Sequence, residues 1–258
     1  MYIKSVDFSK FSSIKVGVPI DVMMIEKGDV IPKDRLIIGG ANNLLVSPNP
    51  PDLMMLSKDF NSIYQEDGML YIGASTKTGQ ILSYVRKNNI AGFEFLSKLP
   101  GTMGGLLAMN AGVKEYEIFN ILDAVKIDNV WIEANNIDYG YRYAKLNGVV
   151  TMSRFRIKEN FDTILLNQLI SLRANQPKEA SAGSIFKNPN NSYAGKLIED
   201  IGLKGYKKGD MQISNIHANF LINLDFGIYD DAIYIINLIE YEVKKRFNIE
   251  LKREIKVL

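Results

Sequence analysis

Ser184 stands after a glycine in Ala182-Gly183-Ser184-Ile185-Phe186-Lys187-Asn188-Pro189, with a lysine and an asparagine close behind it. A serine in that setting can serve as a nucleophile or donate a proton. The chain carries 1 histidine, His217, and 0 cysteines. That composition excludes disulfides, zinc–thiolate sites, Cys-ligated iron–sulfur clusters, multi-histidine metal centres and a thiol nucleophile. No metal is expected. A Ser-His-Asp triad is disfavoured when His217 is the only imidazole base. A serine acting as an acid beside a charged intermediate fits better, and a polar loop leading into a helix is the alternative. His217 itself, in Ile216-His217-Ala218-Asn219-Phe220, reads as a hydrogen-bonding residue rather than a catalyst. Acid–base work then falls to Ser, Glu, Asp, Arg, Lys or Tyr beside a cofactor.

Two further loops are rich in glycine. Ile38-Gly39-Gly40-Ala41-Asn42-Asn43-Leu44-Leu45-Val46 places small residues between two apolar runs. Small residues let backbone N–H groups approach a phosphate, although an ordinary turn would look the same. It is not a GxGxxG followed by a helix, so a Rossmann reading fails. Leu99-Pro100-Gly101-Thr102-Met103-Gly104-Gly105 runs on to Met109-Asn110-Ala111-Gly112. Four glycines so close together suggest backbone packed against a ligand. Arg142, in Tyr139-Gly140-Tyr141-Arg142-Tyr143, is either stacked for packing or held for an anion. Glu254, near the carboxy terminus, reads by itself as a solvated strand residue.

The elements that must position these groups are mixed. Apolar runs at Arg35–Ile38, Leu44–Val46 and Leu53–Leu56 read as strands. Asp67-Gly68 and Asp128-Asn129 predict tight hairpins, and Val149–Ile157 a further strand. Thr78 is the expected cap of a helix through Gly79–Asn89, with Ile81, Leu82 and Val85 on one face. Later segments turn helical: Phe161–Asn175 with Leu165, Leu169 and Leu172 aligned, Tyr193–Ile201, and a helix from a cap at Asp230 to Phe247. The last carries a stripe of Ala232, Ile235, Ile236, Ile239 and Val243 that reads as core. The change of texture puts a boundary near residues 156–162. With 31 Lys plus Arg against 29 Asp plus Glu, a net charge of +2 gives no electrostatic case for nucleic acid or membrane binding. No signal peptide or membrane span is read, so the expected compartment is cytoplasmic.

The order of the motifs is more specific than any one of them. GGANNLLV, LPGTMGGLLAMNAG, YGYRY, AGSIFKNP, IEDIGLKGYK, HANFLIN and a terminal LKREI together resemble the UDP-N-acetylenolpyruvoylglucosamine reductase family, in a compact form and over nearly the whole chain. The resemblance implies an α+β fold. An FAD-binding domain of the vanillyl-alcohol-oxidase type (residues 1–157, lobes 1–56 and 57–157) precedes an α/β substrate-binding domain (158–250). A terminal strand (251–258) returns to the active site. It implies bound FAD, with Gly39, Gly40, Ala41, Asn42 and Asn43 and then Pro100, Gly101, Thr102, Gly104 and Gly105 against its phosphates. Asn110, Ala111 and Gly112 complete that wall.

The implied reaction uses NADPH to reduce UDP-N-acetylglucosamine enolpyruvate to UDP-N-acetylmuramate for peptidoglycan, in a monomer acting on small molecules. Hydride passes from flavin N5 to the enolpyruvyl methylene carbon, and the adjacent carbon is protonated. By the same resemblance Arg142 holds the carboxylate or the developing charge, and Glu254 shares that work with a pKa raised by burial. Ser184 donates the proton, while Lys187, Asn188 and His217 contact the UDP-sugar. The sequence departs from the family pattern at Val18, Ala41, Asn42 and Ala144, where Gly, Gly, Ser and Ser are usual. The alternatives are a flavin oxidase of small hydroxy acids or sugars, and a non-catalytic flavin scaffold.

Overall fold

The computed structural model of the chain describes residues 1–172 and 175–258. Among the described residues are six α-helices: α1 (Phe8–Phe11), α2 (Thr78–Lys87), α3 (Met103–Ala108), α4 (Thr163–Ser171), α5 (Ala194–Asp200) and α6 (Tyr229–Phe247). No helix among them is long and apolar enough to cross a membrane. The chain forms two compact units: Met1–Lys4, Val22–Gly40 and Asp52–Ala174 in the first, and Ser5–Asp21, Ala41–Pro51 and Asn175–Leu258 in the second. The expected division after residue 157 follows chain order, whereas these units interleave. Residues 158–172 stay with the first unit because Leu169 enters its core and the Asp162 N–H donates to Glu94 at 2.9 Å.

The first unit holds an antiparallel sheet in the order Val130–Glu133, Leu122–Ile127, Val150–Arg156, Met69–Gly73, Ile63–Glu66. Both predicted hairpins form. Asp67 and Gly68 (φ 49° and 73°) and Asp128 and Asn129 (47° and 67°) take the paired left-handed conformations that match strand twist. Leu70, Ile72, Val125 and Phe155 pack from the sheet onto Ile81 and Val85 of α2 and Leu106 and Leu107 of α3. A second layer contains parallel strands Pro19–Ile25, Leu53–Leu56 and Leu36–Ile37, paired in that order. Leu44–Leu45 does not join them. It pairs in parallel with Lys256–Val257 in the second unit, so the glycine loop connects two different sheets.

The second unit carries an antiparallel sheet, Ala180–Ser184, Phe220–Asn223, Met211–Ile213 and Lys207–Lys208. Its core joins Ile185, Phe186, Ile213 and Leu221 to Leu197 and Ile198 of α5 and to the α6 stripe. All five predicted stripe residues of α6 are fully buried.

Helix ends differ from the sequence reading. Thr78 lies inside the first turn of α2 and is buried, while Lys77 is the cap and its N–H donates to Gln80 at 3.3 Å. Ile228, not Asp230, caps α6, and Asp230 and Asp231 occupy the first turn, where negative charge suits the helix dipole. In α4 the Asp162 carboxylate accepts from Ile164 and Leu165 at 2.8 and 2.9 Å. The helix phase set there buries Leu166 and Leu169 and leaves Leu172 exposed. Residues 173 and 174 of this predicted helix lie outside the described residues, and Asn175, its predicted end, is in a turn.

Candidate active site

In the first unit the glycines of the predicted wall have specific packing reasons. A Cβ on Gly39 would stand 2.8 Å from Thr102 Oγ1, and one on Gly104 would meet Ala74 O at 3.3 Å. The Gly104 N–H donates to that same carbonyl at 2.9 Å. Gly101 takes φ 130°, and its carbonyl accepts from Thr78 N–H at 3.1 Å. The stretch from exposed Pro100 through Thr102, which caps α3, is thereby pressed onto the Gly39 strand end. A Cβ on Gly105 would meet Thr102 Oγ1 at an ordinary 3.6 Å. Gly112 is demanded by its own hairpin, since a Cβ there would lie 2.1 Å from Tyr116 O. Gly104 and Gly112 thus allow close approach of backbone to backbone, and Gly39 makes room for the Thr102 side chain.

Asn110 is buried in a left-handed turn (φ 38°). Its amide donates to Glu117 Oε2 at 2.7 Å and Gly140 O at 3.1 Å and accepts from Phe119 N–H at 3.2 Å. Ala111 continues the segment, donating to Leu106 O and accepting from Ile118 N–H. Arg142 belongs to this cluster. Its Nη2 donates to Gly112 O at 3.1 Å, its Nη1 lies 3.7 Å from Glu117 Oε1, and its guanidinium sits 5.1 Å from the Tyr141 ring centre. The packing reading of Arg142 is met: its guanidinium lies by Tyr141, and Gly112 O and Glu117 take its polar contacts. Glu117, which the sequence did not single out, joins Asn110 and Arg142.

Between the layers of the first unit opens a cleft of about 1060 Å³. Ile37 and Met54 line it from one layer, and Ser62, Lys126, Val149 and Thr151 from the other side. Of its lining residues, Ile37 stands two residues before Gly39, and the Thr151 carbonyl accepts from Ala74 N–H at 3.0 Å. The buried Ser62 Oγ has no hydrogen-bond partner among the described residues. None of these lining residues was legible beforehand, because strand residues facing a cleft look like strand residues facing a core.

The second unit assembles the remaining candidates. Residues 185–187 lie antiparallel to 252–255. Ile185 O accepts from the Glu254 and Ile255 N–H groups at 2.8 and 3.2 Å, and Lys187 N–H donates to Lys252 O at 2.9 Å. This seam brings the backbone of Glu254 beside the Ser184 segment, and both side chains are half-buried. Asn43 joins it: its amide donates to Glu254 O at 2.9 Å, and its carbonyl accepts from Lys256 N–H at 2.9 Å. Asn42 donates to Ser13 Oγ, and the Ala41 carbonyl accepts from Ser13 N–H. Ala41 has φ 49°, a conformation costing a non-glycine residue about 1–2 kcal/mol. The departure from glycine at this position therefore carries a strain. Gly40 lies on the other side of the unit division, which falls between it and Ala41.

Asn188 Oδ1 accepts from Ala194 N–H at 3.1 Å, fixing the start of α5. His217 Nδ1 accepts from Asn219 N–H at 3.2 Å, which assigns the neutral Nε2–H tautomer. Burial pushes this imidazole below its ordinary range. Gly195 gives it room, since a Cβ there would stand 3.3 Å from His217 Cε1.

Comparison with known proteins agrees with this geometry. Residues 176–258 match the family model for the UDP-N-acetylenolpyruvoylglucosamine reductase C-terminal domain. UDP-N-acetylenolpyruvoylglucosamine reductase of Helicobacter pylori is 39% identical over 98% of both chains. That of Campylobacter jejuni is 41% identical over 98% of this chain and 99% of its own. A crystal structure of the Thermus caldophilus UDP-N-acetylenolpyruvylglucosamine reductase superposes with a TM-score of 0.86 at 28% identity, covering 100% of this chain and 99% of that one. The expected α+β architecture holds over the whole length, and the chain belongs to the UDP-N-acetylenolpyruvoylglucosamine reductase family.

Proposed function

We propose that this chain is a cytoplasmic, monomeric flavoenzyme that uses NADPH to reduce UDP-N-acetylglucosamine enolpyruvate to UDP-N-acetylmuramate. The observation that carries the reading is the seam between residues 185–187 and 252–255, which sets the Ser184 and Glu254 segments side by side. Family membership supplies the reaction.

The first unit fits FAD. The cleft has the volume class of a ligand site, and its buried Ser62 Oγ offers an unused polar group. By family resemblance Gly39, Gly40, Pro100, Gly101, Thr102, Gly104 and Gly105 would hold the phosphates, and a side chain at Gly39 would disturb that loop by displacing Thr102. Ile37, Met54, Val149 and Thr151 would take the adenosine half between the layers. Asn110, Ala111 and Gly112 would complete the enclosure, and Ala41, Asn42 and Asn43 are assigned to the flavin by family resemblance alone. When bound, FAD supplies hydride transfer from NADPH to the enolpyruvyl methylene carbon.

The protein groups then manage charge and a proton. Arg142, fixed by Gly112 O and Tyr141, presents a permanent cation for the substrate carboxylate and the charge that develops next to it. Ser184 Oγ delivers a proton to the carbon beside the carboxylate, with Lys187 close in sequence to restore it. Glu254 shares stabilisation of the charge. Lys187, Asn188 and the Nε2–H of His217 are the groups for the UDP-sugar.

The test is the visible spectrum of the purified protein. A yellow chromophore should bleach with NADPH and return on adding the enolpyruvyl substrate without oxygen. A colourless protein that cannot be reconstituted with FAD, or one re-oxidised by oxygen alone, rejects the reading.

A further inference from the structure

Asn219 is buried and does for Phe186 what a neighbouring strand would do. Its Oδ1 accepts from Phe186 N–H at 3.0 Å, and its Nδ2 donates to Phe186 O at 2.7 Å. Its own carbonyl accepts from Ile185 N–H at 2.8 Å, and its own N–H is taken by His217 Nδ1. The position in the sheet explains why a side chain is needed. Ala180–Ser184 pairs with Phe220–Asn223, but the register is bulged between Ser181 and Ser184, and the regular strand ends at Ser184. From there the chain leaves the ladder. Phe186 turns both backbone groups to the amide of Asn219, while Ile185 O and Lys187 N–H face the other edge and bond residues 252–255. One side-chain amide thus replaces the lost strand partner, and the alternate edge remains open to bring in Glu254. An amide has the one donor and one acceptor this requires; a carboxylate would set an oxygen against Phe186 O.

We propose that Asn219 is a positioning residue for proton delivery: by clamping Phe186, it fixes the Ser184 hydroxyl two residues upstream and the seam that carries Glu254. This rests on the function proposed above. A displacement of about 1 Å at a reacting group can cost about 10²-fold in rate, and that is the scale expected here.

The experiment uses the full-length FAD-loaded enzyme and separates its two half-reactions by rapid-mixing absorbance. Asn219→Ala should slow re-oxidation by the enolpyruvyl substrate about 10- to 100-fold. Bleaching by NADPH, which needs no proton from Ser184, should stay within about twofold. Added to Ser184→Ala, the same change should slow re-oxidation no further, because both act on one step. Amide hydrogen exchange should quicken in residues 180–188 and not in the first unit. Asn219→Asp keeps the size and the acceptor but removes the donor, and it should show the same split should the alanine variant not fold. Re-oxidation within twofold of the unaltered enzyme, or equal slowing of both half-reactions, overturns the proposal. An unaltered enzyme that NADPH does not bleach overturns the functional reading first, and the role of Asn219 with it.

Discussion

In the first unit, candidate residues are held in place by atoms that glycine lacks. Gly39 admits Thr102, Gly104 admits the Ala74 carbonyl, and Gly112 admits the Tyr116 carbonyl. In the second unit several asparagines do the holding, where in the first Asn110 does so beside Arg142. Asn43 ties Glu254 O, Asn219 clamps Phe186, and Asn223 donates to Ile14 O and Lys15 O while accepting from Asp225 and Gly227 N–H. The contrast teaches that the two regions are sensitive to opposite changes. A wall of close backbone contacts is damaged by an added methyl group. A seam of side-chain amides is damaged by a removed one, because buried donors and acceptors are then left unpaired.

The largest expected effect tests chemistry on the amide-held side. Ser184→Ala should slow re-oxidation of the bound flavin by substrate about 10²–10⁴-fold, the usual worth of a positioned acid, with NADPH bleaching retained. Rapid-mixing absorbance reads both rates, and unchanged re-oxidation removes Ser184 from the proton-donor role.

On the glycine side, Gly112→Ala forces a methyl group into the Tyr116 carbonyl. Overpacking of this kind costs about 1–3 kcal/mol, which for a chain of this size lowers Tm by roughly 2–12 °C. Gly183→Ala sharpens the comparison, since Gly183 has φ 80° but open space around its missing side chain. It should cost only the left-handed strain, about 1–2 kcal/mol. If the two variants melt alike by calorimetry, steric demand does not distinguish the wall.

Asn223→Ala removes a buried amide that pins residues 14 and 15 and touches no proposed catalytic group. A loss of about 1–3 kcal/mol in urea titration, without the half-reaction split expected for Asn219→Ala, separates support from positioning.

The smallest effect belongs to His217. Burial lowers its folded-state pKa, so the neutral ring is favoured in the native protein. Both states are neutral well above pH 6.5. As pH falls through that value the unfolded chain binds the proton first, and native stability is lost until the folded-state pKa is passed. His217→Gln should flatten the stability profile as pH falls through the ordinary imidazole value of about 6.5. A profile unchanged by the substitution excludes His217 as its source.

Hairpins were legible in the sequence because Asp67-Gly68 and Asp128-Asn129 tolerate positive φ, which is a local property. The α6 stripe was legible because helical periodicity and burial coincide there. The phase of α4 was not. Leu165, Leu169 and Leu172 looked aligned, but capping by Asp162 and packing against the first core chose Leu166 and Leu169. The motifs containing Ser184, Arg142 and Glu254 stood out by residue type and order, whereas Glu117 had no such signal and Asn219 lay inside HANFLIN with no role read for it. Their roles come from partners distant in sequence: Asn219 meets Phe186 across 33 positions, and Asn43 meets Glu254 across 211.

By itself, the sequence determined the class of chemistry. With no cysteine and one histidine, it left Ser, Glu, Asp, Arg, Lys or Tyr to act beside a cofactor, and the order of its motifs pointed to a family and through it to Ser184, Arg142 and Glu254. Only the tertiary structure decided that the glycine loop connects two sheets, that residues 252–255 bond to 185–187 in particular, and that His217 accepts from the Asn219 N–H. Residue types fix what a group can donate, accept or leave out, and these are local quantities. Which backbone each group meets depends on long-range pairing, and that is set by the fold as a whole.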